Sequence, residues 1–482
     1  MSMVDGLPTN LPRLSRPNTP RPGVGMVHLG LGAFFRAHGA LYVAEAMAAS
    51  GGDWGIVGVS LQSPATRDAL APQSFAYTAL ERGPEGTRAQ VVNVIEDCLV
   101  SRENPERVLA LMSDPKVRIV TLTVTEKGYC YEPSTGHLNV DHPDIIHDSR
   151  SAVPYSAPGF LVRALAARRR AGLRPFTVLT CDNLPENGRL VRGVVLQLAR
   201  MIDPGLADWI ALEGRFPATM VDRIVPAIKP KEIEDAASLT GYRDAAPVVH
   251  EPFRQWVVED DFVDGLRPDL GAVGVTLVDD VTPYEQMKLR CLNGTHSALA
   301  YLGYLAGHET IADTVADPVF ARYVNQLWTH EIIPALTPPP GADILAYTEA
   351  LFARYANPAI QHRTWQIAMD GSQKLPQRIL GTLWQNYTTG RPAPGLNLAV
   401  AGWMRYVGGI DETGHPIQVK DPLAVYLREQ SDLAVGVDKA RRLLAVREIF
   451  SEDLTRALEP GICAAYERLM TLGARGAVEE LS

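Results

Sequence analysis

The feature that most constrains the fold is a short apolar run that ends in glycines, followed by a helical pattern and a second apolar run. The first run, residues 24–31, is typical of a buried parallel strand. A helix is predicted from about Phe34 to Ser50, and a second strand over residues 54–61. Strand, helix and strand within about 40 residues indicate a βαβ unit and therefore a parallel sheet.

The same alternation continues for some 280 residues and then stops. It predicts an α/β fold with a doubly wound Rossmann-type sheet in an N-terminal dinucleotide-binding domain, residues 1–283. The remaining residues, 284–482, show amphipathic helical patterns separated by Pro/Gly-rich breaks, and they are predicted to form a mostly α-helical substrate-binding and catalytic domain. Further strands are predicted at 117–124 and 176–181, and further helices at 160–172 and 190–201.

Charge and cysteine content exclude several classes of protein. Asp and Glu number 55 against 46 Lys and Arg, a net charge of −9, which argues against a nucleic-acid binder. No apolar run is long enough for a membrane-spanning helix. Five scattered cysteines without a CxxC pair indicate buried free thiols in the cytoplasm, not disulfides or a zinc site. The Pro-rich residues 1–23 lack the pattern of a secretory signal and are predicted to lie on the surface as an arm.

A glycine loop follows the first predicted strand. Gly30 permits a tight turn, and Gly32 lets a pyrophosphate approach the backbone at the start of the next helix. Phe35 replaces the third glycine of the usual dinucleotide motif, so a purely structural turn is the alternative. The segment after the second strand, 61–67, has no clear acidic residue for a ribose, so these residues leave NAD and NADP both open. The predicted cofactor-binding residues are Gly30, Gly32, Ala33, Phe34 and Arg36.

One long helix, over about residues 279–302, is predicted to carry the chemistry. Relative to Lys288, at about 100° per residue, Glu285, Asn293 and His296 fall at about 60°, 140° and 80° on one side. Burial disfavours the charged form of a lysine, which would make Lys288 a general base near neutral pH. A solvated polar face is the alternative, but apolar residues interleave with the polar ones.

A second polar patch, residues 181–188, ends the predicted strand at 176–181. Ligands bind at the carboxyl ends of strands in such sheets, and an asparagine amide there can donate to a carbonyl oxygen that gains charge. Asn183 and Asn293 would supply two such donors. The alternative for Asn183 is a turn or cap residue before the next helix.

Several motifs in the same order resemble the polyol-specific long-chain dehydrogenases, the mannitol dehydrogenase family. The resemblance covers nearly the whole chain. It implies a metal-independent, NAD-linked oxidoreductase in which Lys288 is the general base and acid, Asn183 and Asn293 stabilise the oxyanion, and His296 binds a substrate hydroxyl. It also implies that Asp222 and Lys374 line the substrate pocket. The motifs are Gly30-x-Gly32-x-Phe34-x-Arg36-Ala37-His38, Cys181-Asp182-Asn183, Phe216-Pro-Ala-Thr-Met-Val-Asp222-Arg223-Ile-Val-Pro226 and Lys288-x4-Asn293-x2-His296.

Glu285 precedes Lys288 by three residues, close enough on a helix to interact with it. We expect Glu285 either to relay protons between Lys288 and solvent or to cap the helix.

Other stretches are most similar to members of the family that act on sugar acids. The similarity implies interconversion of D-fructuronate and D-mannonate, and mannitol or arabinitol oxidation and tagaturonate reduction are the alternatives. Gln366 stands where mannitol dehydrogenases of the family typically carry arginine, which disfavours a neutral polyol. A sugar acid needs a cation for its carboxylate, and Lys374, Arg363 and Lys127 are the candidates. These stretches are residues 123–130, 251–257, 287–290 and 362–374.

Overall fold

The chain divides into two compact units between Thr282 and Pro283. The computed structural model describes residues 11–18, 20–133 and 135–481. The first unit holds every described strand, and the second is helical. Each unit has a hydrophobic core of its own.

The central sheet of the first unit has five parallel strands. Their order is β5-β2-β1-β6-β7, so strands that follow β1 in the chain lie on both sides of it. This is the Rossmann order, and it confirms the predicted fold class. Two further sheets, β11-β10-β8 and β4-β3-β9, complete the unit. The strands are β1 (Val24–Leu29), β2 (Gly55–Ser60), β3 (Tyr77–Gly83), β4 (Gly86–Val92), β5 (Ile95–Val100), β6 (Ile119–Leu122), β7 (Thr177–Thr180), β8 (Thr219–Asp222), β9 (Val248–His250), β10 (Gln255–Glu259) and β11 (Thr276–Val278).

Apolar side chains cover both faces of the central sheet, because neighbouring residues of each strand enter different cores. Val27 packs with α4, α7 and α8, whereas Met26 packs with α1, α2 and the side sheets. Burial on both faces explains why these strands are apolar throughout. The helices of the unit are α1 (Ala33–Ala37), α2 (Gly39–Ser50), α3 (Ala65–Leu70), α4 (Pro105–Ser113), α5 (Thr125–Gly128), α6 (Pro143–Arg150), α7 (Ala157–Arg170), α8 (Asn187–Ile202), α9 (Pro204–Glu213) and α10 (Pro230–Thr240).

Two expectations for the first unit are wrong in detail. The helix predicted from Phe34 is broken at His38, whose backbone (φ −132°, ψ −84°) separates α1 from α2. Of the predicted surface arm, residues 1–10 and 19 lie outside the described residues, and the rest is partly buried, since Leu14 is 2% exposed and donates its N–H to the carbonyl of Arg243. Arg16 also forms a buried ion pair with Glu96.

The second unit is built around two buried helices, α12 and α19, against which α22 packs. Gly473 interrupts α22 with non-helical angles. None of the described helices is both long and apolar enough to cross a membrane. The helices are α11 (Thr282–Met287), α12 (Thr295–Leu305), α13 (Ile311–Ala316), α14 (Pro318–Gln326), α15 (Ile344–Tyr355), α16 (Thr364–Ile367), α17 (Gly371–Leu375), α18 (Gly381–Thr388), α19 (Pro394–Val407), α20 (Ala424–Asp432), α21 (Asp438–Leu444) and α22 (Glu452–Leu481), with π-helical segments at Lys288–Gly294, Leu327–Ile332 and Pro376–Leu380.

The helix predicted at 279–302 exists, but its middle is not α-helical. The segment Lys288–Gly294 is π-helical and joins α11 to α12. Hydrogen bonds in a π-helix run between residues five apart, so the 140° expected between Lys288 and Asn293 is wrong and the two lie closer to one side. A Cβ at Gly294 would lie 2.6 Å from the carbonyl oxygen of Arg378. This close approach of two π-helical segments therefore requires glycine.

Candidate active site

The polar side chains predicted on the catalytic helix all belong to the second unit. Lys288 and His296 are buried, at 7% and 8% exposure, and Asn293 is partly exposed. Glu285 lies one turn before Lys288 in α11 and is also partly exposed. The lysine thus lies at the start of the π-helical segment with apolar neighbours on the same helix, and its role as the general base stays a prediction.

Two side chains that sequence reasoning did not single out hold this segment in place. Trp328 donates its indole N–H to the carbonyl of Cys291 at 2.9 Å, and the Tyr355 hydroxyl donates to the carbonyl of Leu292 at 2.7 Å. Both carbonyls lie within the π-helical segment. The two bonds therefore satisfy buried backbone acceptors and stabilise the wide turn.

Arg290 lies in the same segment, but its guanidinium donates hydrogen bonds to other parts of the second unit. Its guanidinium donates to the carbonyl of Ala335 and to Oε1 of Gln385, each at 2.7 Å, and to Oε1 of Gln286 at 3.2 Å. These bonds give Arg290 a structural role.

His296 lies beside two other rings. Its ring centroid is 4.8 Å from that of His362 and 5.2 Å from that of Tyr355. Burial, and then the positive charge of neighbouring side chains, lowers the pKa of His296 well below its ordinary value. The imidazole is therefore neutral at pH 7, with one nitrogen that donates and one that accepts, which suits a substrate hydroxyl. The neighbours that lower this pKa are the cations Arg378, Arg354 and Lys374, and His362 when it is protonated.

The three cations predicted to meet a substrate carboxylate have different surroundings. Lys374 donates from Nζ to the carbonyl of Met369 at 2.6 Å and is among the charges that act on His296. Arg363 forms an ion pair with the exposed Glu309. Lys127 is exposed in α5 of the first unit. Of the three, Lys374 is the one whose charge acts on the pKa of His296.

Sequence reasoning missed Arg354 and Arg378. Arg354 is 7% exposed in α15, and Arg378 donates to the Ser297 hydroxyl at 3.1 Å in the π-helical segment Pro376–Leu380. Neither lies in a recognisable motif, and both come close to His296 only through the packing of separate helices. The sequence feature that could have pointed to them is an arginine within an otherwise apolar helical turn.

The glycine loop of the first unit is fixed at the carboxyl end of β1. Gly30 has φ +90°, and a Cβ there would lie 2.2 Å from the carbonyl oxygen of Thr123. Its N–H donates to the Val59 carbonyl at 2.8 Å, and its carbonyl accepts from the Thr123 hydroxyl at 2.9 Å. The loop thus lies where the chain leaves β1 between β2 and β6, the usual nucleotide position in such sheets.

Among the predicted cofactor residues, Arg36 differs from the others. Gly30, Gly32, Ala33 and Phe34 all retain solvent exposure, but the Arg36 guanidinium is buried. It donates to the carbonyls of Ala246 at 2.5 Å and Gly32 at 3.3 Å. These bonds tie the loop to the segment before β9 and give Arg36 a structural role, and its contact with a cofactor stays a prediction.

We predict that Gly30→Ala lowers both stability and NADH affinity. An L-residue at positive φ costs about 1–2 kcal/mol, and the added methyl would collide with the Thr123 carbonyl. The unfolding temperature should fall by several degrees, as measured by calorimetry. Gly32→Ala is the matched control, because a Cβ there meets only the Gly30 carbonyl at 3.7 Å and φ is −107°. Equal unfolding temperatures for the two variants would contradict the assignment.

The polar patch after β7 is held by Asp182. Its carboxylate accepts from the N–H groups of Val124 and Thr125 and from the Tyr129 hydroxyl, at 2.6–3.0 Å. These bonds fix the loop that carries Asn183, which is exposed. The following helix, α8, begins at Asn187, so Asn183 is not its cap. Asp222, predicted at the substrate, is the last residue of β8 and is 5% exposed.

One group of side chains has the spacing of metal ligands. Single ligand atoms of Cys130, His142 and Asp144 lie within 4.8 Å of one another. However, His142 already accepts the Asp144 N–H as the cap of α6. Burial, and then Asp144 and Asp148, raise the pKa of the Cys130 thiol to about 12. Without a metal the thiol is therefore protonated, and the capping bond of His142 accounts for its position beside Asp144.

A Rossmann sheet with a glycine loop, and a helical unit in which Lys288 and His296 are buried and Asn293 is partly exposed, are typical of a nucleotide-dependent dehydrogenase. Comparison with known proteins agrees: the model of the mannitol dehydrogenase Rossmann domain matches residues 24–271, and that of the mannitol dehydrogenase C-terminal domain matches residues 280–470. The chain belongs to the mannitol dehydrogenase family, which confirms the resemblance seen in the sequence.

Three relatives illustrate the range of the family. D-mannonate oxidoreductase of Escherichia coli (strain K12) is 45% identical over 95% of each chain. Mannitol 2-dehydrogenase of Pyricularia oryzae is 41% identical over 89% of this chain and 87% of the relative. The solved structure of Pseudomonas fluorescens mannitol 2-dehydrogenase, a ternary complex with NAD and D-mannitol, is 36% identical, with a TM-score of 0.84 over 98% of this chain and 97% of that chain.

Proposed function

We propose that the protein is an NAD-dependent reductase that interconverts D-fructuronate and D-mannonate. The observation that carries the proposal is the group of cations around His296, namely Arg354, Lys374 and Arg378. Such a group of positive charges favours an anionic ligand, and a sugar acid brings a carboxylate whereas a polyol is neutral. The similarity to D-mannonate oxidoreductase over 95% of the chain supports the same substrate class.

The first unit fits a dinucleotide. The loop at the end of β1 brings Gly30 and Gly32 to the point where β2 and β6 diverge. Because glycine has no side chain, the backbone of both residues stays accessible to a ligand there. We propose that these two residues, with Ala33 and Phe34, hold the pyrophosphate of NAD, the cofactor of the similar mannitol 2-dehydrogenase complex. When bound, the cofactor would supply a hydride as NADH in reduction and accept one as NAD⁺ in oxidation.

In the proposed reaction the second unit handles the proton. Lys288 Nζ gives a proton to the carbonyl oxygen as the carbonyl carbon gains hydride, and takes it back in the reverse direction. Asn183 and Asn293 donate hydrogen bonds to the same oxygen while it carries negative charge. Glu285, one turn before Lys288, then returns the proton to the lysine from solvent.

A direct assay tests the proposed function. NADH oxidation should be measured with D-fructuronate, D-tagaturonate, D-fructose and no added sugar, and with NADPH in place of NADH. We expect the highest kcat/KM with D-fructuronate and NADH, exceeding that with D-fructose by at least about 10-fold, the contribution of one charge-assisted hydrogen bond. A preference for D-fructose would overturn the proposal in favour of a mannitol-type enzyme, and a preference for D-tagaturonate would reassign the sugar acid.

A further inference from the structure

A second π-helical segment, Leu327–Ile332, packs against the wide turn Lys288–Gly294, and we call it the bracing segment. Its Trp328 is buried and donates the indole N–H to the carbonyl of Cys291 at 2.9 Å, in the middle of the wide turn. π-Helical turns are rare in proteins and occur mostly at functional sites. Two of them joined by a buried hydrogen bond therefore point to a function for the contact.

Glu331, three residues after Trp328, joins the bracing segment to another helix. Its buried carboxylate accepts the N–H groups of Gly395 and Leu396, in the first turn of α19, each at 2.8 Å. These N–H groups have no acceptor within their own helix, and Ala393 at the N-cap position has no side chain that could accept them. Glu331 therefore caps α19 from a distant part of the chain.

The contact between Glu331 and α19 depends on close packing. A Cβ at Gly395 would lie 2.8 Å from Oε1 of Glu331, so glycine is what allows the carboxylate to reach the helix. Burial raises the pKa of Glu331 to about 7, and the two backbone N–H groups oppose this rise. A serine or aspartate at position 393 would cap α19 without the cost of burying a carboxylate. The use of Glu331 instead indicates that linking α19 to the bracing segment is itself of value.

We propose that Trp328 and Glu331 are positioning residues for the proton-transfer step. Glu331 fixes the bracing segment to the start of the buried helix α19, and Trp328 fixes the wide turn to the bracing segment. Lys288 is the first residue of the wide turn and His296 follows its last residue by two positions, so a shift of the turn displaces both. The inference rests on the proposed function, because it takes Lys288 as the base. Neither positioning residue touches substrate or cofactor in this proposal.

Steady-state kinetics of Trp328→Phe and Glu331→Gln test the proposal. The first change removes the indole N–H, and the second keeps the size of the side chain but puts an NH₂ group opposite a backbone N–H. We expect kcat to fall about 10- to 100-fold in each variant, since a displacement of about 1 Å costs up to about 10²-fold. KM for the sugar should change less than kcat, because a misplaced base acts on the transition state. The Kd of NADH, measured by titration, should stay close to that of wild type.

Tyr323→Phe is the matched control. The buried Tyr323 hydroxyl donates to the carbonyl of Gly395 at 2.8 Å, so it also holds the start of α19, but from α14 and not from the bracing segment. Its loss should lower the unfolding temperature by a few degrees, as Glu331→Gln should, and leave kcat close to that of wild type. All rates are measured well below the unfolding temperatures. The kinetic effect of the bracing segment is thereby separated from a general loss of stability.

A double variant, Trp328→Phe with Glu331→Gln, tests whether the two residues act through one segment. Its loss in kcat should then be smaller than the product of the two single losses, and a loss equal to the product would overturn the common path.

Two further results would overturn the proposal. One is a kcat near that of wild type in both single variants, and the other is an equal loss of kcat in Glu331→Gln and Tyr323→Phe. Each single variant tests its own end of the bracing segment, so the test stands if the other fails to fold. The assay uses D-fructuronate, or D-fructose if the wild-type enzyme prefers it, so a wrong sugar assignment leaves this test intact. A Lys288→Ala enzyme with normal kcat would instead refute the proposed proton transfer.

Discussion

Replacing Lys288 with alanine is expected to lower kcat by about 10²- to 10⁴-fold, the usual contribution of a general acid–base group. The lysine is 7% exposed at the start of the π-helical segment, and water cannot replace a buried amine at the same position. NADH affinity should stay near that of wild type, because Lys288 is not among the residues proposed to hold the cofactor. Steady-state rates in both directions and NADH titration measure the two quantities.

The control for this experiment is Lys231→Ala, which removes an exposed lysine from α10 and should change neither kcat nor NADH affinity. A Lys288→Ala enzyme with kcat within a few-fold of wild type would remove Lys288 from the role of base. Loss of NADH binding together with kcat would indicate a folding defect, which the unfolding temperature would reveal.

The second large effect is expected from the two asparagines. Asn183→Ala and Asn293→Ala should each slow the chemical step by about 10²- to 10³-fold, since each removes one donor to the oxyanion. The double variant should be slowed by less than the product of the two factors, because groups that act on one oxygen are not independent. Single-turnover oxidation of bound NADH measures the step directly.

An exposed asparagine on α14, Asn325, provides the control, and Asn325→Ala should leave the single-turnover rate unchanged. Unchanged rates in both single variants would refute the oxyanion pair. A large effect from Asn293 alone would leave Asn183 as a loop residue, which its exposure in the structure would then explain.

The parts of the fold that were predictable from sequence are those in which local pattern and burial agree. Strands β1, β2, β6 and β7 are apolar because both faces of the sheet are covered, and the sequence predicted each of them to within a few residues. The hairpin of β3 and β4 was not predicted, because Glu81, Arg82 and Arg88 interrupt its apolar pattern. The partial burial of residues 11–18 depends on distant partners such as Arg243, which no local pattern reveals.

The residues of the candidate site also fall into two groups, those that a local sequence pattern reveals and those that it does not. Lys288, Asn293 and His296 follow a recognisable spacing on one helix, so they could be singled out from sequence. Arg354 and His362 reach the neighbourhood of His296 only because α15 and the segment before α16 pack there. Their positions depend on contacts between distant parts of the chain, which periodicity does not encode.

The wide turn between α11 and α12 also sets the direction, around the helix axis, in which the residues after it project. An α-helix advances by about 100° per residue, so one residue more or fewer in this segment would rotate His296 by about that angle relative to Lys288. Trp328, Tyr355 and the glycine contact at Gly294 hold the turn at its present length. A single-residue deletion between Lys288 and Gly294 would therefore keep Lys288 and His296 in the protein and yet change the angle between them about the helix axis, so the length of this turn is as much a part of the candidate site as the residues themselves.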